Sequence, residues 1–393
     1  MRLGIDRLIE DRFAPLKGRR VALFTNLSAV NTQLVPTYEC FRLSDEVELV
    51  ALFSPEHGLG GAAADGAHIQ SGVDPRSGLP IHSLYGETFA PTPEMLANID
   101  VVVCDIQDIG VRYYTYLWTI THIIEVCGQQ GVSVMILDRP NPLGWRIDGG
   151  SLASELSSLV GRFPIPIQHG MTLGELARLF NDLWNPTPAE LIVIPCECWA
   201  QKNGGQRPAH ILPRVFVPPS PNMAHPVTAL HYPGACLIEG TQLSEGRGTA
   251  LPFEVVGAPY IDAFALAEAI NAHHLDGVIA RPHHFQPNAS KFSHQMCHGV
   301  QLHIVDQAVY RPLIAWLTVI RMVQELHPEA FAWLPPHNGL QHFDRLIGDT
   351  NTRLLIDAGE SIEMITADWS AFHQDFRMQR QPYLLYGDFA DER

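Results

Sequence analysis

The chain has 393 residues, 46% hydrophobic and 17% charged, enough for two domains with a sizeable core and unlike a disordered chain. A formal net charge of −16 excludes a sequence-independent grip on nucleic acid, which needs a basic surface, and argues against docking on an anionic membrane. The start, MRLGIDRLIEDRF, is charged throughout and has no apolar segment of signal-peptide type, and the most apolar run, Leu313–Ile320, is too short to span a bilayer.

In chain order, five short runs read as buried strands. They are Arg20–Asn26, Val47–Pro55, Ile81–Gly86, Ile99–Asp108 and Val132–Pro142. Near-continuous runs rich in β-branched residues suit central parallel strands covered on both faces. Between the last two, Leu117, Ile120, Ile124 and Cys127 recur at helical spacing, and Gly131 follows as a C-cap. Thr172 and Glu175 stand at capping-box spacing before the helical face Leu176, Leu179, Phe180 and Leu183. Leu191–Trp199 reads as a further strand, and the proline-rich Pro218–Pro226 cannot be regular structure.

The expected fold is α/β, with a Rossmann-like, doubly wound parallel sheet over residues 1–228. A smaller α+β domain is expected over 229–393. It would hold a helix at Asp262–His274, a strand at Gly299–Asp306 and helices near 312–326, 350–358 and 360–372. The seven cysteines, at 40, 104, 127, 196, 198, 236 and 297, are scattered and odd in number. They read as free structural thiols in a reducing compartment. As written, the chain is expected to be cytoplasmic, and exported only if its true start lies upstream.

Ligands of open α/β sheets bind beyond the carboxyl ends of the strands. Polar groups gather there. Asn26 follows the first strand, Glu56 and His57 the second, Tyr85 the third. Asp105, Asp108 and Arg112 follow the fourth, and Asp138 and Arg139 the fifth. Glu56, held after a proline beside apolar walls, suits a general acid. Asp105, Asp138 and Arg139 read equally as catalytic groups or as structural pairs. Leu237–Glu254 places Glu239, Glu245 and Arg247 among three glycines, where an arginine can fork onto a carboxylate. Asn222 stands in the proline-rich loop. No dinucleotide fingerprint, Walker loop, nucleophile elbow or zinc-protease motif occurs, and the histidines share no ligand spacing. No cofactor and no metal are therefore expected.

SPEHG, DIQDIGVRYYTY, LDRPNPLG, VGRFPIPIQHGMTLGELA, PSPNM, YPGACLIEGTQLSEGRGT and GVQLHI occur in this order from about Leu16 to Tyr386. In these motifs the chain resembles the bacterial exo-β-N-acetylmuramidases, once catalogued as a domain of unknown function. Where that family carries arginine two residues after the PEHG glycine, Gly60 stands here. The resemblance implies an active site in the cleft between two domains and removal of N-acetylmuramic acid from the non-reducing end of peptidoglycan fragments. It implies Glu56 as the leading catalytic group. His57 or Tyr85 would orient it, and Asp105, Asp108, Glu239, Glu245 or the substrate's own acetamido group would take the second role. Arg112 or Arg247 would hold the lactyl carboxylate of muramic acid. Two other classes stay open: a non-catalytic carbohydrate-binding protein, and a metal-dependent hydrolase using His57 with Asp105 and Asp108. Oligomeric state is not legible.

Overall fold

The computed structural model describes residues 1–197 and 215–387. Cys198 and Trp199, the end of one expected strand, lie outside the described residues. Seven strands form the first sheet: β1 (Arg20–Phe24), β2 (Glu48–Ser54), β3 (Gly72–Val73), β4 (Pro80–Ser83), β5 (Val101–Cys104), β6 (Ser133–Leu137) and β7 (Leu191–Ile194). Their order is β3-β4-β2-β1-β5-β6-β7, parallel except for the β3–β4 pair. Val101–Cys104 and Ser133–Leu137 are buried at every position, which is why they read as unbroken apolar runs.

Register levels the strand ends. Phe24 pairs with Phe53 on one side and Cys104 on the other, and Ser54 pairs with Ser83. Glu56 and Tyr85 each follow a paired serine by two residues, so the chain delivers them side by side at the same edge. Helix Tyr116–Gln130 packs on this sheet and ends at Gly131, whose φ of 68° lets its N–H reach the carbonyls of Cys127 and Gly128. Thr172 and Glu175 close the capping box of helix Leu173–Leu183.

The second sheet is antiparallel, β8 (Val255–Ala258), β9 (Val278–Phe285) and β10 (Cys297–Ile304), in the order β8-β10-β9. Helix Ala263–Ala272 packs on it, helix Pro312–Leu326 packs on that helix, and helix Pro226–Ala235 packs on Pro312–Leu326. The expected helix over 360–372 is two pieces, Ile362–Ile365 and Trp369–Arg380. A turn over 366–368 separates the two pieces. Apolar side chains of both sheets belong to one continuous core that runs from Phe24 and Ile124 to Val256 and Trp316. No helix among the described residues is long and apolar enough to cross a membrane.

Candidate active site

A cavity of about 210 Å³ opens beyond the ends of β2 and β4, facing helix Pro226–Ala235 and the segments that follow it before β8. Glu56, His57, Asp65, Tyr85 and the run Tyr113–Tyr116 line one side. Asn222, Tyr232, Glu239, Arg247, Phe253 and His342 line the other.

Glu56 is 7% exposed and fixed at both oxygens. The Thr115 hydroxyl donates to Oε2 at 2.7 Å, and the Gly66 amide donates to Oε1 at 3.1 Å. The Gly66 bond closes a ten-residue loop onto the side chain that begins it. The loop folds on itself through Gly58 N–H to Pro55, Ala63 N–H to His57 and the His57 Nδ1 contact to the Ala63 carbonyl at 2.8 Å. His57 has a φ of 70°, a strained value for a non-glycine residue, and such strain gathers at functional sites. Beside Glu56, burial raises the Tyr85 hydroxyl above its ordinary range, and the nearby Glu56 adds to the shift.

Aromatic rings form the wall. Tyr116 meets Tyr114 at 4.9 Å, Tyr114 meets Tyr232 at 6.1 Å, and Tyr232 meets Phe253 at 4.8 Å. The Arg247 guanidinium lies 4.9 Å over the Phe253 ring. Its Nη2 reaches Glu239 at 2.6 Å and Asp65 at 3.2 Å, while Nε reaches Glu245 at 3.3 Å. Burial alone would raise the Glu239 carboxyl, but Arg247 and His342 more than offset it and hold it at about 2. The Asp65 carboxyl is pushed up to about 6. Desolvation leads, Glu239 and Glu56 add to it, and Arg247 and His57 oppose it. Its side chain is 49% exposed at the cavity mouth, so water screens part of that shift.

Glu56, His57, Tyr85, Asn222, Glu239 and Arg247 thus share one cavity, and the other expected site residues do not line it. Asp105 and Arg139 form a bidentate ion pair, 2.5 and 2.9 Å, and Thr37 donates to Asp105 at 2.5 Å. The pair is buried and structural. Arg139 also borders a second, more apolar cavity of about 470 Å³ beyond the ends of β1, β5 and β6, lined by Val30, Asn31, Gln107 and Val217. Asp108 is buried, accepts the Gly110 N–H at 2.7 Å, and has its carboxyl pushed up to about 7 by burial. Its neighbour His169, 3.7 Å away, is driven down to about 3 by burial, so near pH 6 the two meet uncharged.

Arg112 is wholly buried and far from holding a substrate anion. It donates to the carbonyls of Gly150, Ile165, Leu346 and Ile347 at 2.8–3.0 Å. Asn26, also wholly buried, donates to the Tyr116 hydroxyl and the Pro219 carbonyl, both at 3.3 Å, and so positions a wall residue instead of touching the cavity. Glu245 lies behind Arg247 with Lys291 on its other oxygen at 3.0 Å, leaving it no open face for base or nucleophile chemistry.

Asp65, Thr115, Tyr232 and His342 escaped the sequence reading. Asp65 sits in AAADGAH, which looks like a solvated turn, and Thr115 hides among the tyrosines of VRYYTY. The metal reading named Asp105 and Asp108, which lie outside the cavity. The donor group at His57 is instead Glu56, His57 and Asp65, with one atom from each within 4.8 Å of the others. Such a set fits a hard or borderline divalent cation.

Residues 21–227 match the N-terminal family of the exo-β-N-acetylmuramidase NamZ, and residues 230–386 match its C-terminal family. The chain is 42% identical over 384 residues to the peptidoglycan β-N-acetylmuramidase NamZ of Bacillus subtilis (strain 168), covering 98% of this chain and 91% of the relative. Two crystal structures of DUF1343 family proteins from Bacteroides fragilis NCTC 9343 share the fold. One has a TM-score of 0.86 at 34% identity, covering 98% of this chain and 99% of that one. The other has a TM-score of 0.78 at 30% identity, covering 99% of each.

Proposed function

The chain belongs to the exo-β-N-acetylmuramidase family, and from that premise we propose that its cleft cleaves the terminal muramyl residue of peptidoglycan fragments with Glu56 as proton donor. It is a glycosidase of muramyl-containing saccharides. The observation that carries the role of Glu56 is its double anchorage by Thr115 and Gly66 at the mouth of an aromatic-walled cavity.

Glycoside hydrolysis needs a proton on the leaving oxygen as positive charge grows at C1. A carboxyl fixed at both oxygens is aimed before substrate arrives, so little reorganisation remains for the reacting state. The cavity, about 210 Å³, is below the roughly 300–1,000 Å³ of common ligand sites, which suits one terminal sugar and not a glycan threaded through. The tyrosine wall offers flat apolar faces to the ring.

Muramic acid carries a lactyl carboxylate, so selection needs a cation. The contacts of Arg247 to Glu239, Asp65 and Glu245 use Nη2 and Nε, which leaves Nη1 for the lactyl group. A charge-assisted contact of this kind rejects a glucosaminyl residue, because the polar group built for the acid is left unpaired. His57, through its fixed Nδ1, and Tyr85 orient the acid and the leaving group.

The test is release of free N-acetylmuramic acid from a MurNAc-GlcNAc disaccharide by the wild type beside Glu56→Gln. Loss on the order of 100-fold or more in the variant supports the acid role. Equal rates place the acid elsewhere, and silence in both favours a carbohydrate-binding role.

A further inference from the structure

We propose that Asp65 is the second catalytic carboxylate: it accepts the N–H of the substrate's 2-acetamido group while that group's carbonyl oxygen attacks C1. The proposal rests on the reading of the cleft as a muramyl site with Glu56 as acid.

Three carboxyl groups line the cavity among the described residues, those of Glu56, Asp65 and Glu239. Glu239 is committed to Arg247 at 2.6 Å, with His342 at 3.7 Å. Asp65 has the looser tie, 3.2 Å to Arg247, and its side chain opens to the cleft. Its donor atom lies within 4.8 Å of that of Glu56. Inverting pairs stand about 6.5–9.5 Å apart to admit a water beneath the sugar, so this spacing does not suit inversion.

Asp65 has an oxygen within 4.8 Å of Glu56 and another contact, 3.2 Å, to Arg247, so it lies within reach of both, as C2 is bonded to both C1 and C3 on the sugar. The leaving oxygen is on C1, the acetamido group on C2 and the lactyl ether on C3. A ring that presents C1 to Glu56 and its lactyl carboxylate to Arg247 carries the C2 nitrogen past Asp65. Arg247 meets Asp65 through Nη2 and Oδ2, so with the lactyl group on Nη1 that contact persists and the other oxygen, Oδ1, takes the amide N–H.

The chemistry balances as follows. Glu56 gives its proton to the glycosidic oxygen, and the C1–O bond breaks with its electron pair going to that oxygen. The acetamido carbonyl oxygen bonds to C1, forming an oxazolinium whose N–H is held by the Asp65 carboxylate. Water then bonds to C1 from the face the leaving group vacated and loses its proton to the Glu56 carboxylate. The ring C1–O bond of the oxazolinium breaks, restoring the acetamide. Two displacements at C1 leave the product with retained, β configuration.

Proton NMR of the first turnovers of 4-nitrophenyl β-N-acetylmuraminide by the wild type reads the outcome without any variant. The β anomer is expected first, and the α anomer first overturns the proposal. Asp65→Asn and Asp65→Ala are expected to lose about 100-fold or more in kcat with little change in thermal midpoint, since the side chain is half-exposed. A muramyl thiazoline, which mimics the cyclised intermediate, is expected to inhibit the wild type and to bind Asp65→Asn at least about 10-fold more weakly. Full kcat in Asp65→Asn, or equal thiazoline binding, removes the role of Asp65 and leaves Glu56 in place. A wild type that releases no muramic acid removes the underlying cleft reading, and this proposal with it.

Discussion

Replacing Arg112 by methionine tests whether its cation serves the architecture or the substrate. The side chain reaches from the segment after β5 to the carbonyls of Leu346 and Ile347 at the end of helix His342–Ile347, while its other branch holds Gly150 and Ile165. Methionine keeps the apolar stem and removes every donor. Hydrogen bonds from a charged group contribute about 1.5–3 kcal/mol each, but the cation also sheds its own burial cost, so the sum overshoots. Each buried carbonyl left without its donor costs about 1–3 kcal/mol, and the cation's shed burial cost offsets part of the four, so a net loss of about 3–5 kcal/mol is expected. At about 2 °C per kcal/mol for a large domain, the midpoint should fall by about 6–10 °C. Arg112→Lys, with three donors on one nitrogen, should fall between. Differential scanning calorimetry gives the midpoints, and rates on muramyl and glucosaminyl glycosides at 25 °C give the selectivity. Both rates should drop together, because Leu346 lines the cavity, while their ratio stays constant. A methionine variant that melts within about 2 °C of the wild type, or one that loses selectivity alone, would refute the architectural role.

Thr115→Val removes a 2.7 Å bond to Glu56 with little change of shape, and kcat should fall about 10-fold or more with KM nearly unchanged. A shift confined to KM would mean that Thr115 serves binding. Arg247→Ala should reduce the preference for muramyl over glucosaminyl substrates at least about 10-fold, measured as a ratio of kcat/KM, and an unchanged ratio assigns the lactyl group elsewhere. Asp108, with its folded pKa raised to about 7, favours the protonated form in the native state. Its contribution is fully present below the unfolded carboxylate pKa and is lost as pH rises toward 7. The midpoint of Asp108→Asn should therefore gain on the wild type between pH 4.5 and pH 8, and a constant difference would deny the shift. Dialysis against EDTA should leave the hydrolysis rate intact, whereas a loss restored by a divalent ion would give Glu56, His57 and Asp65 a metal to hold.

The parallel sheet was legible because burial on both faces writes itself as unbroken apolar runs, as in VVVC of β5 and SVMIL of β6. β9 was missed for the opposite reason. Arg281, Pro282, His283 and His284 occupy its middle, and its exposed face leaves no clean alternation. β8 is four residues long amid glycine and proline, too short for any period. Glu56 stood out through local chemistry, a carboxylate delivered just past a strand end. Asp105 occupies an equivalent place, and what separates the two is tertiary. Arg139, 34 residues away, neutralises one, while the second sheet leaves the other facing a cavity. Arg112 shows the limit of local chemistry, since an arginine just past a strand end looks identical whether it will meet a ligand or, as here, four carbonyls. Asp65 gave no signal, since only the return of the loop to Glu56 sets it at the cavity.

That return makes Pro55–Gly66 a portable cassette. The proposed proton donor, the amide that steadies it and the proposed second carboxylate come from twelve consecutive positions folded by bonds within the segment, with Thr115 and Arg247 holding Glu56 and Asp65 from outside it. The opposite wall, with Arg247, Phe253 and His342, comes from distant segments of the second sheet's half. Chemistry and sugar choice are therefore free to diverge separately. One residue inserted at Ala63, by contrast, slides Asp65 and Gly66 together against Glu56 and ends catalysis in a protein that still folds.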